Sequence, residues 1–360
     1  MSRYFVVENP PVHLWNSFLE TYPEGNFEQC FEYGEITKLA FQKSNVIRFA
    51  ITHKGEPLGI VQGNYSSYLG FGMKLGVMRG PLVKMENKEA SRLVENILKS
   101  LEDYAKKNRI IQAKILVPEA WSIQEVFHAL GYTLTFFMNE YVVSLEKSTD
   151  ELWRKISHNK RRNIKKATDR GVEIVQSHEY KDLLTFYSML EVSEKRGGFS
   201  SYPLSWFEAV WKICKPELSD VFLARWKGQD VSGVFTVIHG KTVYALAAGS
   251  LKEGWEARPN DKMHWEIMKW ACQKDYSKYH MGLIEEPPPA KGSEAWGIWR
   301  WKREWNGSLK RIQVFNKLLS PRYKLVLKAK ETVERAYTTY FRQLARARAR
   351  KQLTSSKLES

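Results

Sequence analysis

The feature that most restricts what this chain can fold into is that it repeats itself. FAITHKGEPLGIV at Phe49 to Val61 resembles FLARWKGQDVSGVF at Phe222 to Phe235; each turns on Lys-Gly and places another glycine, Gly59 or Gly233, in the returning strand. A Lys-Gly hairpin alone is common among antiparallel sheets. The order around it is harder to obtain by chance. In the first half, helical spacing covers Val12 to Phe41 with a break at Pro23 and Gly25, and β-rich runs follow at 46–52, 58–65 and 73–83. An amphipathic helix is predicted over 90–107 and a strand over 110–117, stopped by Pro118. The same order returns, with helices at 182–195 and 204–214, strands at 221–226, 231–238 and 243–249, a helix at 261–274 and a strand at 279–283. This is a tandem duplication of one α/β (α+β) unit of about 150 residues.

Charge is distributed less evenly than structure. Lys plus Arg number 56 against 40 acids, a net of +16, and two stretches hold almost all of that excess. From Leu152 to Gly171 there are eight cations and one acid; from Arg322 to Lys351 there are ten and two. Trp153, Ile156 and Ile164 recur at helical spacing in the first stretch, which predicts one basic helix that packs on one side while its cations fan outward. A solvated connector would look similar. Arg154, Lys160, Arg161, Arg162, Lys165 and Lys166 are the candidate nucleic-acid or phosphate ligands. The second stretch reads as a basic amphipathic helix able to pack on the body, lie on an anionic membrane or follow RNA phosphates.

Several classes are disfavoured. Cys30, Cys214 and Cys272 are too few and too scattered for a disulfide framework or a zinc knuckle, which points to a reducing, cytoplasmic setting. The eight histidines show no metal-binding spacing and no nucleophile motif accompanies them, so no metal is expected. Neither a signal-peptide pattern nor an apolar run of membrane-spanning length is written in the sequence.

Helices, an antiparallel meander, then a helix and a strand is the order of the N-acyltransferase (GNAT-like) fold, here in two tandem copies. The expected units are 1–149, 150–320 opening with the basic helix, and the basic tail 321–360. An acetyl-coenzyme A enzyme of that fold uses a Gly-rich turn at a helix N-terminus to hold pyrophosphate. Neither MRGPLVKMENKEAS nor AAGSLKEGWEARPND has that form, so coenzyme A is disfavoured. The most unusual short stretch is GIWRWKREWNG at Gly297 to Gly307, in which Trp299, Trp301 and Trp305 surround Lys302. Such indoles can be core while the cations snorkel outward. Alternatively, a shielded ammonium among rigid aromatics can stabilise an oxyanion or grip a phosphate.

Taken together these blocks resemble the Fem family of peptidoglycan interpeptide-bridge aminoacyltransferases, over roughly Trp15 to Asn316. WNSFLETYPEGNFEQCFEYGEITK resembles the family's opening block, with Trp15, Gln29 and Lys38 in place. MRGPLV supplies Arg79, KRRNIKKATDRGVEIV the basic block, SEKRGGF Arg196, YALAAGS Tyr244, and GIWRWKREWNG the closing Phe-Lys motif, here Trp301, Lys302 and Trp305. Val117 stands where the family often has Asp before Pro, and the Tyr-Asp-aromatic-Gly strand reads Tyr279, His280, Met281, Gly282.

The resemblance implies an aminoacyltransferase that takes its amino acid from aminoacyl-tRNA and gives it to an amine of a peptidoglycan precursor stem peptide. Lys302 is then the catalytic cation, and Lys38, Arg79, Arg196, Tyr244, Trp301 and Trp305 are substrate-binding residues. A cytoplasmic enzyme in peripheral contact with an anionic membrane is the corresponding expectation. Two alternatives keep the fold: an N-acyltransferase acting on a sugar or lipid amine outside peptidoglycan, and an RNA-binding protein with degenerate acyltransferase domains.

Overall fold

Both Lys-Gly pairs form two-residue turns with positive φ throughout, 50° and 89° at Lys54 and Gly55, 53° and 76° at Lys227 and Gly228. This is the turn geometry whose twist matches antiparallel strands. The glycines of the returning strands are small because something is already there. A Cβ on Gly59 would lie 2.8 Å from a methyl of Val83, and one on Gly233 3.1 Å from Leu223 and Met189.

A computed structural model describes residues 4–22, 25–68, 72–84, 89–145, 148–214 and 218–320. The first repeat runs β1 (Phe5–Glu8), α1 (Val12–Glu20), α2 (Phe31–Ala40), β2 (Ser44–His53), β3 (Glu56–Tyr68), β4 (Gly72–Val77), β5 (Leu82–Val83), α3 (Glu89–Lys107), β6 (Ile110–Pro118), α4 (Gln124–Ala129) and β7 (Thr133–Ser144). Two helices, α5 (Thr149–Lys155) and α6 (His158–Asp169), connect it to the second. That repeat runs β8 (Glu173–Ser177), α7 (Tyr180–Gly197), α8 (Leu204–Cys214), β9 (Ser219–Trp226), β10 (Gln229–His239), β11 (Thr242–Ser250), α9 (Pro259–Gln273), β12 (Lys278–Ile284), α10 (Glu294–Arg303) and β13 (Ser308–Leu318).

All the strands join one sheet in the order β1-β2-β3-β4-β6-β13-β7-β12-β11-β10-β9-β8, with β5 on β3. Read from either end, the order is the same repeat. In each half one parallel pair, β4 with β6 or β11 with β12, follows an antiparallel meander and is bridged by a long helix, α3 or α9. The last strands are exchanged: β13 lies between β6 and β7, and β7 pairs in turn with β12. Each repeat is thus completed by a strand from the other.

Packing follows the same logic. α3 carries Leu93, Val94, Ile97, Leu98 and Leu101 on one buried face against β2, β3 and β6. α7 and α8 cover the second meander, but their core also takes Phe27, Cys30 and Ile36 from the first repeat. A separate core under α6, α9 and α10 holds Trp265, Tyr279 and Trp305.

Two expectations are revised. The basic stretch is two helices, because Ile156 and Ser157 are extended and the Ser157 hydroxyl caps α6 by accepting the Lys160 N–H at 3.1 Å. The predicted strand over 73–83 divides into β4 and β5, which pair with different stretches of one edge of β3, β4 with Asn64 to Tyr68 and β5 with Gly59 and Ile60, while β2 holds the other edge. The predicted tail helix over 321–360 lies outside the described residues.

Candidate active site

The parallel ladder of β11 and β12 extends only from Thr242 and Lys278 to Tyr244 and His280. There β12 shifts register against β7 between His280 and Leu283, passing through Gly282 at φ 76°. Both strands continue beyond this point without pairing to each other, and side chains of both repeats gather where they part. From the first repeat, Arg79 ion-pairs through one terminal nitrogen with Glu28 and through the other with Glu140 on β7. Glu140 Oε2 lies 3.1 Å from His280 Nε2. The Tyr244 ring lies 5.1 Å from that imidazole and 6.4 Å from Phe27.

Burial dominates the electrostatics here. It would raise the Glu140 carboxyl, but His280 and Arg79 together outweigh it and hold the group down at about 2. Burial lowers His280, against the pull of Glu140, and pushes the Tyr244 phenol up to about 12. His280 Nδ1 accepts the Gly282 N–H at 3.1 Å, which assigns the ring proton to Nε2.

Lys302 enters from α10, whose first turn is capped by Ser293. Its ammonium donates to the Leu283 carbonyl at 2.6 Å, and loss of water around it lowers its pKa to about 8. Behind it stands a buried polar network. Trp301 Nε1 donates to Asp261 Oδ1 at 2.7 Å, and Lys160 Nζ donates to the same oxygen at 2.6 Å, with Glu304 at 3.6 Å. Lys160 also lies 4.4 and 5.0 Å from the Trp301 and Trp305 rings. His264 meets the Tyr279 hydroxyl at 2.6 Å, and burial, reinforced by Lys160 and Lys302, lowers it to about 3.

This placement corrects several expectations. Lys160 is 0% exposed and clamps α6 to α9 and α10, so it is unavailable to a phosphate. Trp305 is likewise 0% exposed, a core residue and not a substrate surface, while Trp301 is half-buried with its indole nitrogen engaged. Arg161 donates to the carbonyls of Trp153, Arg154 and Ile156, an internal cap across the α5–α6 break. Arg79 has both terminal nitrogens committed to carboxylates of the first repeat and holds the site's framework together.

Arg154, Arg162, Lys165 and Lys166 do stand exposed. Lys38 is exposed on α2 and pairs with Glu35 at 3.0 Å, away from the central cluster's contacts. Arg196 lies over the Trp255 ring at 4.8 Å and donates to the Ser250 carbonyl at 3.0 Å. The structure therefore brings Arg79, Tyr244 and Lys302 towards one place and sets Lys38 and Arg196 on flanking elements. Sequence reasoning missed Glu28, Glu140 and His280 as partners. The departure at His280 was the one available signal for them. Among the described residues no grouping of His, Cys, Asp and Glu could hold a metal, and no helix is long and apolar enough to cross a membrane.

Two strand-exchanged repeats, each with a parallel pair following an antiparallel meander and a cation set at the parting of one pair, define a tandem acyltransferase-fold protein. The family described as Acetyltransferase (GNAT) domain matches residues 154–303, which include α6 and Lys302. The fold is similar to the crystal structure of FemX, with TM-score 0.76 and 18% identity over 90% of this chain and 99% of that one. It is also similar to a tandem GNAT protein from the clavulanic acid biosynthesis pathway, with TM-score 0.57 and 9% identity over 89% and 99% of the two chains. In sequence it is 23% identical to the lipid II:glycine glycyltransferase of Staphylococcus aureus, over 93% of this chain and 99% of that protein. The likeness in sequence to that glycyltransferase runs over nearly the whole of both proteins and supports the resemblance to the Fem family, while the likeness to FemX shows the shared fold.

Proposed function

We propose that this protein is an aminoacyltransferase that moves an amino acid from aminoacyl-tRNA to an amine of a peptidoglycan precursor. The observation that carries the proposal is Lys302, a half-buried ammonium of lowered pKa at the parting of β11 and β12. An activated ester requires little chemical help beyond positioning and stabilisation of charge. The acceptor amine attacks the ester carbonyl, the C–N bond forms, and the tetrahedral oxyanion develops beside Lys302. Collapse breaks the C–O bond, and the proton released by the amine ends on the departing ribose oxygen. Homology to a lipid II:glycine glycyltransferase supports the acceptor class. The exposed Arg154, Arg162, Lys165 and Lys166 offer a surface for RNA phosphates.

A donor without pyrophosphate draws support from α9, the helix that follows β11. Its first residue, Pro259, has no N–H, and its first turn carries buried Asp261, whose carboxylate accepts from Lys160, Trp301 and Asn163. A helix N-terminus that holds its own carboxylate is poorly suited to a diphosphate. Asp261 at that helix supports a donor other than coenzyme A.

Incubation with charged tRNAs and candidate muropeptide amines, followed by mass measurement of the acceptor, tests the donor. The acceptor should gain one amino-acid residue, and ribonuclease pretreatment should abolish the gain. A gain that survives ribonuclease would exclude tRNA as donor.

A further inference from the structure

Lys302 is held at one point, the Leu283 carbonyl, and that carbonyl belongs to the most irregular part of β12. Between His280 and Leu283 the strand slips register against β7, and Gly282 adopts φ 76°. Left-handed backbone inside a strand needs something to hold it, since the ladder that would fix it is interrupted. The holder is two residues back: the Gly282 N–H donates to His280 Nδ1 at 3.1 Å. The far side of the same ring faces Glu140 on β7, which is fixed in turn by Arg79. A Cβ added at Gly282 would come within 3.9 Å of Lys302 Nζ, so turn and ammonium are neighbours in space as well as in linkage.

We propose that His280 is a positioning residue: as acceptor for the Gly282 N–H, buried beside Glu140 and the Tyr244 ring, it fixes the turn that presents the Leu283 carbonyl to the Lys302 ammonium. This rests on the assignment of Lys302 as the catalytic cation, but the linkage concerns geometry and can be read without turnover. His280 itself does not serve as a base, because Nδ1 accepts from Gly282 and the ring proton is left to Nε2, 3.1 Å from Glu140 Oε2. Its neutrality also matters. The charged and titratable groups around Lys302 include His280 from β12 and His264 from α9, both held neutral by burial, with Arg79 paired to Glu28 and Glu140 beyond His280 and Lys160 paired to Asp261 behind Trp301.

The test is competitive labelling of the full chain with trace acetic anhydride across pH, with the Lys302 peptide read by mass spectrometry. Wild type should show a midpoint near 8. His280→Leu, which keeps bulk but removes the acceptor, should free the turn, let water reach the ammonium and move the midpoint up towards that of an ordinary lysine. His280→Asn places Oδ1 where Nδ1 stands and should restore the wild-type midpoint. In the transfer assay His280→Leu should lower kcat roughly 10- to 100-fold with acceptor KM within about two-fold, the scale expected for a displaced catalytic group. If His280→Leu does not fold, Gly282→Ala, which strains the same turn, must shift the midpoint in the same direction. An unchanged midpoint in folded His280→Leu, or an equal shift in Leu and Asn variants, overturns the proposal. Full transfer by Lys302→Ala would instead overturn the functional reading while leaving the labelling result intact.

Discussion

Two lysines show how differently one residue type is used in this molecule. Lys302 is half-buried near the parted strands, and burial lowers its pKa to about 8, so its ammonium is present below that pH and is lost as pH rises through it. Transfer should therefore decline above about pH 8, and the residual activity of Lys302→Arg, whose charge does not titrate in this range, should lack that descending limb. A pH profile of single-turnover rates for both proteins decides it. Lys160 is the opposite case. It is fully buried beneath two indoles and paired with Asp261, so Lys160→Ala leaves a carboxylate uncompensated and should cost roughly 3–5 kcal/mol in urea unfolding. RNA affinity of the folded fraction should not change. Nothing in KRRNIKK tells which cation turns inward, because the partner carboxylate lies 101 residues further along the chain.

Elements were legible in the sequence in proportion to how locally they are determined. α3, α8 and the two Lys-Gly hairpins could be placed closely, since their burial faces and turn residues are written in consecutive positions. The exchanged strands β7 and β13 could not. The first half of β7 has Phe136 and Phe137 exposed, and the partners of β13 lie far back in the sequence, so neither shows a clean alternation of buried and exposed positions. Glu140 sits on one of these strands, which is why half of the site's charge network was invisible beforehand. Gly307, at the entry to β13, is a sensitive point. A Cβ there would meet the Tyr141 ring at 2.7 Å and the Val142 carbonyl at 2.8 Å. Gly307→Ala should cost roughly 1–3 kcal/mol by overpacking, read as a lower urea midpoint. Because β13 joins β6 to β7, the loss should appear as a single transition by both tryptophan fluorescence and circular dichroism.

For the whole molecule, strand exchange makes two acyltransferase-like repeats one body and places the cluster of Arg79, Glu140, His280 and Tyr244 where both contribute. The basic connector runs along the second repeat, with Arg162, Lys165 and Lys166 exposed. Replacing these three by Ala should weaken RNA binding and reduce the slope of log affinity against log salt by about 2. An unchanged slope would return the connector to a solvated helix. The central claim is that aminoacyl transfer takes place beside Lys302, and its most direct measurement is the single-turnover transfer rate of Lys302→Ala alongside its RNA affinity. We predict a rate at least 100-fold lower, the scale of a lost oxyanion-stabilising donor, with RNA affinity unchanged. A variant that transfers as fast as wild type, or one that loses rate only in step with RNA affinity, would contradict it.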